Sequence, residues 1–176
     1  APLAFAGDDL TVVLGDEEPS SVIADGVDGI SLLSMAGSAS VTNYGDISAI
    51  GGGGAQAVEI DAYGDIGFAN YGNVSAEVGT GGGAPYDVTA VDLYSYAGSV
   101  FAQNATGASI TATAEAEYGY TLARGVISVG DNAYFDNYGS ISVDASAEVG
   151  NVVAIGVQNS GAFSTVYNAA DASIVV

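Results

Sequence analysis

One block of sequence recurs five times in this 176-residue chain, and its register constrains the fold more than any other feature. Each copy contains an asparagine that is followed by a short turn rich in glycine or alanine and then by a β-branched residue with a serine beside it. An apolar residue precedes each asparagine by ten or eleven positions. The asparagines are Asn43, Asn70, Asn104, Asn137 and Asn168, and the apolar residues are Leu32, Ile60, Leu93, Val126 and Val157. Two columns that keep register over five copies predict a solenoid of about five coils.

The composition of the repeat favours strands over helices. Gly, Ser, Thr, Val and Asn fill it, and these residues are weak helix formers. Apolar residues alternate at Val58 and Ile60 and again at Val91 and Leu93, which places them on one face of a strand. A single repeat cannot bury such a face, whereas stacked repeats can. We therefore expect an all-β parallel β-helix over residues 27–176, and residues 1–26, which lack the repeat, as an N-terminal cap or lead-in segment.

The asparagine column predicts a ladder of side-chain amides. An amide has both a donor and an acceptor, so amides stacked at strand spacing can bond from coil to coil. Ordinary surface turn asparagines are the alternative, because asparagine tolerates tight backbone turns. Three phenylalanines that lie near the ladder, at Phe68, Phe101 and Phe135, are expected to enlarge the core in the middle coils.

The charge excludes several classes of partner. The chain has 21 acidic residues and one cation, Arg124, for a net charge of −20. Nucleic-acid binding requires cations that neutralise phosphates, so we expect no nucleic-acid partner. Cysteine and histidine are absent, which excludes disulfides, thiol nucleophiles and zinc clusters. No apolar run approaches the ~20 residues of a transmembrane helix.

The repeats resemble those of autotransporter passenger domains from Gram-negative bacteria. The resemblance is carried by Ala123-Arg124-Gly125-Val126 and Ala154-Ile155-Gly156-Val157 at the start of a coil, and by the stretch 41–49, VTNYGDISA, at its close. It covers roughly residues 27–176. It implies a right-handed parallel β-helix that is secreted to the bacterial cell surface, with a role in adhesion, biofilm or a surface coat rather than in catalysis. The translocator β-barrel of that family is not in this sequence.

Two carboxylates, Glu59 and Asp92, occupy equivalent positions in successive copies, where later copies have Gly125 and Gly156. If both point outward they lie one coil apart, and such a pair is unfavourable unless a cation shares it. Calcium, which prefers oxygen ligands, is the candidate metal, and we expect no other cofactor. A solvated acidic face is the alternative, and a glycosidase pair is a third.

Tyrosines are the candidate sugar-binding residues. Tyr44 and Tyr71 each follow a ladder asparagine, and Tyr63 and Tyr96 share another column. Outward tyrosines can stack on one another or on sugar rings, so a host or matrix glycan is a candidate partner. Plain surface tyrosines are the alternative, because alanine replaces tyrosine in two copies of the first column.

The last repeat ends in apolar residues, Ile174, Val175 and Val176, that lie within its final strand. Unpaired strand edges are normally covered. We therefore expect either a longer chain or end-to-end contact between copies, which would build a filament. The sequence as a whole predicts a non-catalytic extracellular structural or adhesive solenoid. A carbohydrate-binding module and a polysaccharide-active enzyme on the same fold are the alternatives.

Overall fold

The computed structural model describes residues 3–15, 21–25, 28–79 and 86–176, and these ranges contain strands and turns but no helix. The sixteen strands are short at the start of the chain and reach 21 residues near its end. In chain order they are β1 (Leu3–Ala6), β2 (Leu10–Leu14), β3 (Ser21–Asp25), β4 (Asp28–Ser34), β5 (Ala39–Asn43), β6 (Asp46–Gly51), β7 (Gly54–Ala62), β8 (Ile66–Asn70), β9 (Asn73–Val78), β10 (Tyr86–Ser95), β11 (Val100–Asn104), β12 (Ser109–Val129), β13 (Asn132–Asn137), β14 (Ser140–Ser160), β15 (Phe163–Asn168) and β16 (Ser173–Val175).

Every strand pairs in parallel with the equivalent strand of the next coil, which confirms the predicted parallel β-solenoid. Face 1 stacks β1, β4, β7, β10 and the second halves of β12 and β14. Face 2 stacks β2, β5, β8, β11, β13 and β15. Face 3 stacks β3, β6, β9, the first halves of β12 and β14, and β16. We number the coils 1 to 6, from the one that contains β1 to the one that contains β16.

Strands β12 and β14 each continue from face 3 to face 1 without a break. Both strands carry a glycine where the chain turns the corner, and the two glycines pair in register. Gly119 has a φ of 101° and Gly150 a φ of 153°. A Cβ at Gly150 would lie 1.7 Å from the carbonyl oxygen of Gly119. Glycine is therefore required here by both backbone conformation and close approach.

The core is a set of columns of small and branched aliphatic side chains that run through the stack. Inward and outward residues alternate along the strands, as in β5, where buried and half-buried residues follow one another. One column on face 3 is fully buried over four successive coils, at Ile47, Val74, Ile110 and Ile141, and it continues at its two ends with the half-buried Val22 and Ile174. Burying each such side chain contributes about 1.5–3 kcal/mol. Burial along the axis is what a single repeat could not achieve.

The N-terminal segment supplies strands that pair with the first repeat. Strands β1, β2 and β3 pair in parallel with β4, β5 and β6. Leu14 lies opposite Asn43, so the ladder position of coil 1 holds a leucine. This substitution explains why the repeat cannot be recognised in this part of the sequence. The predicted boundary between residues 26 and 27 falls outside the described residues and stays a prediction.

The central apolar column predicted from the sequence is wrong in its last two members. Leu32, Ile60 and Leu93 do lie in one column, but it continues with Ser128 and Asn159. Val126 and Val157 belong instead to the column of Ile30, Val58 and Val91. The cause is turn length. The turn from face 1 to face 2 has four residues after β10 (96–99) but two after β12 (130–131), so counting back from the asparagine shifts the register by two residues.

The expectation for the phenylalanines is wrong for Phe101. Phe68 and Phe135 are buried in the column of Val41 and Ala102, as predicted. Phe101 lies on the outer surface and is 53% exposed. It precedes its ladder asparagine by three residues, whereas Phe68 and Phe135 precede theirs by two. Because side chains alternate along a strand, one residue of difference reverses the direction in which the ring points.

Candidate functional site

The five predicted asparagines form one continuous ladder along the corner between faces 2 and 3. Each Nδ2 donates to the Oδ1 of the asparagine in the next coil. From Asn43 towards Asn168, the four N–O distances are 2.8, 2.9, 2.8 and 2.7 Å. The first four amides are fully buried and Asn168 is exposed. The ladder therefore joins five coils through polar bonds inside the protein.

The same amides also hold the corner of each coil. The Nδ2 of Asn43 donates to the carbonyl of Gly45, and the Oδ1 of Asn43 accepts from the Gly45 amide. Asn70 repeats both bonds with Gly72. Buried polar groups destabilise a fold unless they are paired, and these amides are fully used. The ladder is therefore a stiffening element and has no group free for chemistry.

Glu59 and Asp92 lie side by side on the outer surface of face 1. They pair in register on β7 and β10, so their backbones are separated by one coil, ~4.8 Å. The rest of the predicted column is wrong, because Asp92 pairs with Ile127 and then Gln158 rather than with the two glycines. The turn-length difference described above also accounts for this two-residue shift.

Hydrogen bonds and charges surround the two carboxylates. The Ser31 hydroxyl donates to Glu59 at 2.9 Å, and the Gln56 amide donates to Asp92 at 3.3 Å. Burial raises the pKa of the Asp92 carboxyl above its ordinary value, the Arg124 guanidinium opposes this rise, and Glu59 adds to it. Arg124 itself pairs with Asp87. Glu59 and Asp92 therefore form an acidic surface on which the pKa of Asp92 is raised, mainly by burial.

Glu59 and Asp92 are the residues predicted to bind calcium. Calcium takes six to eight oxygen ligands. Within the described ranges no group of three or more histidine, cysteine, aspartate or glutamate side chains could hold a metal ion. Glu59 and Asp92 each accept a hydrogen bond already. We therefore assign no chemistry to a metal here, and calcium binding stays a prediction.

Two of the four predicted tyrosines stack on each other. The rings of Tyr44 and Tyr71 are 4.9 Å apart and nearly parallel, at 12°. Tyr63 and Tyr96 are exposed on neighbouring coils, but Tyr96 makes its edge contact with Tyr94. The structure therefore places the predicted sugar-binding residues in two separate patches, one at each edge of face 2.

Another aromatic pair lies on face 2 and was missed by the sequence reasoning. Phe101 and Tyr134 stack with ring centroids 5.3 Å apart and an interplanar angle of 10°. They face outward above Gly67, which is the outward residue of the coil below. The sequence does contain a sign of this pair, because Phe101 precedes its ladder asparagine by three residues instead of two. Since side chains alternate along a strand, that spacing places the Phe101 ring on the outer surface.

The residues predicted for end-to-end contact lie on coil 6, which forms one end of the described stack. Strand β16 pairs with β14 through Ser173, Ile174 and Val175. Ile174 packs against the core, whereas Val175 and Val176 are exposed. On β15 the inward column ends at Val166, which is 43% exposed.

The chain matches no protein-family model, and neither a curated protein nor a solved structure matches it. The described residues include no helix with the length and apolar character needed to cross a membrane. The fold and the surfaces of the chain itself are therefore the basis for assigning a function.

Proposed function

We propose that this chain is a non-catalytic structural or adhesive β-solenoid that is displayed outside the cell, on a bacterial surface. The observation that carries the proposal is the asparagine ladder, which links five coils along one buried line. It gives the stack axial stiffness without cysteine, which this chain lacks. Outward side chains then vary without affecting the core, as a display scaffold requires. The resemblance of the repeats to autotransporter passenger domains supports the location.

Adhesion is tested with cells of a non-adherent bacterium that display the chain. We expect such cells to aggregate, or to form more biofilm, than cells that display an unrelated solenoid of similar charge. The second control is the same chain with Phe135→Asp, which disrupts the core and removes the ordered surface. Equal aggregation and equal biofilm formation by all three cell populations would contradict an adhesive role.

We further propose that copies stack end to end. Coil 6 presents Val166 and coil 1 presents Val12, both in the column of Val41. A second copy placed in register would bring its Val12 over Val166 and its Leu14 over Asn168. The contact would pair unpaired strand edges and cover apolar side chains. Because the ends differ, the contact does not close on itself and the product is a fibre.

The stacking is tested with an inward-pointing charge on the edge strand, Val166→Lys. The matched control is Val129→Lys, on the outer surface of face 1, where the strand is paired on both sides and the neighbouring Tyr94 is exposed. We expect electron microscopy at raised salt, which screens the charge of −20, to show fibres for the parent and the control but not for Val166→Lys. A parent protein that sediments as a monomer at every concentration and salt would contradict stacking.

A polysaccharide-active enzyme is the second candidate, favoured by one observation. Glu59 and Asp92 are adjacent carboxylates, and the pKa of Asp92 is raised, as in an acid–nucleophile pair. The structural proposal predicts that the chain releases no reducing ends from uncharged or acidic polysaccharides. Release by the parent protein that is lost in both Glu59→Gln and Asp92→Asn would instead establish the enzyme.

A further inference from the structure

The outer surface of face 2 contains a slot that one missing side chain creates. Ser40, Gly67 and Phe101 stand in one column on successive coils. Because side chains of a column stand above one another, the glycine leaves the space below the Phe101 ring empty. Two adjoining grooves of about 320 and 330 Å³ open on either side, and both are bordered by these three residues.

The fold does not require glycine at position 67. Its φ is not in the left-handed region. A Cβ built there would lie 3.5 Å from the Cβ of Ser40, an ordinary van der Waals contact. By contrast, a Cβ at Gly125 would lie 2.5 Å from a carbonyl oxygen. Glycine inside a strand is destabilising relative to residues with a side chain, so what Gly67 provides is the open slot.

One face of the Phe101 ring borders this slot. The opposite face is covered by Tyr134, which stacks on it at 5.3 Å. The pair is therefore a two-layer aromatic platform, in which two nearly parallel rings stand on paired strands. Such a platform favours a ligand with a flat apolar face.

Polar side chains border the platform. Thr42, Gln103 and Asp136 line the groove, and none of them has a side-chain hydrogen bond to a residue that the structure describes. Asp65 borders the second groove. Together they offer one amide, one hydroxyl and two carboxylates around an aromatic face. A sugar ring has the complementary surface, with C–H bonds on its face and hydroxyl groups at its edge.

The charge of the chain selects among sugars. The one cation, Arg124, is on face 1, away from the slot. Carboxylates at the rim accept hydrogen bonds from hydroxyls and repel sulfates and uronates. We infer that the Gly67–Phe101 slot binds one ring of an uncharged glycan. This inference rests on the adhesive part of the proposed function, for which it names the ligand.

The test uses the purified chain on an array of neutral oligosaccharides, with heparin and polygalacturonate as acidic arms, followed by titration calorimetry with the best neutral binder. A Cβ at position 67 has no backbone atom of another residue within 4 Å apart from its chain neighbours, so we use Gly67→Val to fill the slot. We expect it to weaken binding at least about tenfold while the urea midpoint stays equal or rises. Phe101→Ala should weaken binding by a similar factor. Thr111→Val, an outward position of β12 on face 3, is the matched control and should bind as the parent does.

Each contrary outcome overturns the inference. Gly67→Val that binds as the parent does would show that the slot is not the site. Loss of binding in Tyr44→Ala but not in Phe101→Ala would place the sugar on the stacked tyrosines instead. Binding of heparin in preference to neutral glycans would refute the charge argument. If no glycan binds while cells that display the chain still adhere, the slot is not a glycan site and adhesion depends on another surface.

Discussion

The ladder should make Asn104 one of the most sensitive positions in the chain. Asn104 is fully buried and takes part in three side-chain hydrogen bonds. Its Oδ1 accepts from Asn70 at 2.9 Å, and its Nδ2 donates to Asn137 at 2.8 Å and to the carbonyl of Ser140 at 3.2 Å. Asn104→Ala removes all three and leaves the Oδ1 of Asn137 without a donor among the described residues.

The magnitude follows from which partners are left unpaired. Asn70 keeps bonds to the carbonyls of Gly72 and Ser109, so its loss is small. The buried Oδ1 of Asn137 is left unpaired at a cost of about 1–3 kcal/mol, and the lost bonds to Asn70 and Ser140 contribute about 1 kcal/mol each. We therefore expect Asn104→Ala to lower the free energy of unfolding by about 3–5 kcal/mol. Asn168→Ala, at the exposed end of the ladder, should cost about 1 kcal/mol or less.

Urea unfolding followed by circular dichroism and by the fluorescence of the 11 tyrosines measures both variants. Stacked repeats can unfold in parts, so hydrogen exchange in β11 and β13 should be measured alongside. If the buried ladder stabilises the stack, the free energies of unfolding of the two variants differ by about 2 kcal/mol or more. Equal losses within about 0.5 kcal/mol would refute it, because position along the ladder would then not matter.

Three further predictions test packing and charge. Gly125→Ala should destabilise the protein strongly, because its Cβ would lie 2.5 Å from the Gly156 oxygen, whereas Gly67→Ala should be neutral or stabilising; a urea titration in which both behave alike would contradict the geometry. Burial, together with repulsion from nearby carboxylates, raises the pKa of Asp61 in the folded protein. The ionised carboxylate therefore lowers the stability of the fold at neutral pH. This loss of stability disappears as the pH falls through the raised pKa towards the ordinary aspartate pKa. Asp61→Asn should therefore raise the urea midpoint at neutral pH and leave it unchanged below the ordinary pKa, and the reverse pattern would contradict the sign. Phe135→Ala should cost about 3–5 kcal/mol and Phe101→Ala much less, since only Phe135 is buried; similar thermal shifts would contradict the register.

The fold class was predictable because the repeat couples two periodicities. Alternation within strands indicates which side chains face the core, and the interval between asparagines marks one coil. The ladder could be anticipated at Asn43 and its four equivalents because only a side chain with both a donor and an acceptor can bond to its own copy. These conclusions depend on residue type and spacing alone.

Register within a coil could not be read from the same spacing. Val126 is eleven residues before Asn137, as Leu93 is before Asn104, yet the two lie in different columns. A turn shortened by two residues leaves the inward–outward alternation unchanged, so the sequence pattern contains no sign of the shift. Leu14 was missed for the opposite reason, because it holds a ladder position without having an amide.

The aromatic surface was the least predictable part. Phe101 resembles Phe68 in its neighbours, and only its distance from the asparagine separates an outward ring from a core ring. The significance of Gly67 required the three-dimensional register, since the slot exists only because a glycine lies directly below an aromatic side chain. Contacts between coils are set by pairing, and pairing depends on every turn in between.

Distances between spin labels test the stacked architecture most directly, and the absence of cysteine allows two labelled cysteines to be introduced anywhere. Thr11, Ser40 and Thr165 lie in one column on the outside of face 2. Five coil spacings separate Thr11 from Thr165, or ~24 Å, and four separate Ser40 from Thr165, or ~19 Å. A parallel solenoid gives narrow distance distributions that differ by about one strand spacing, ~5 Å. Broad distributions, or a difference unrelated to that spacing, would contradict the parallel solenoid.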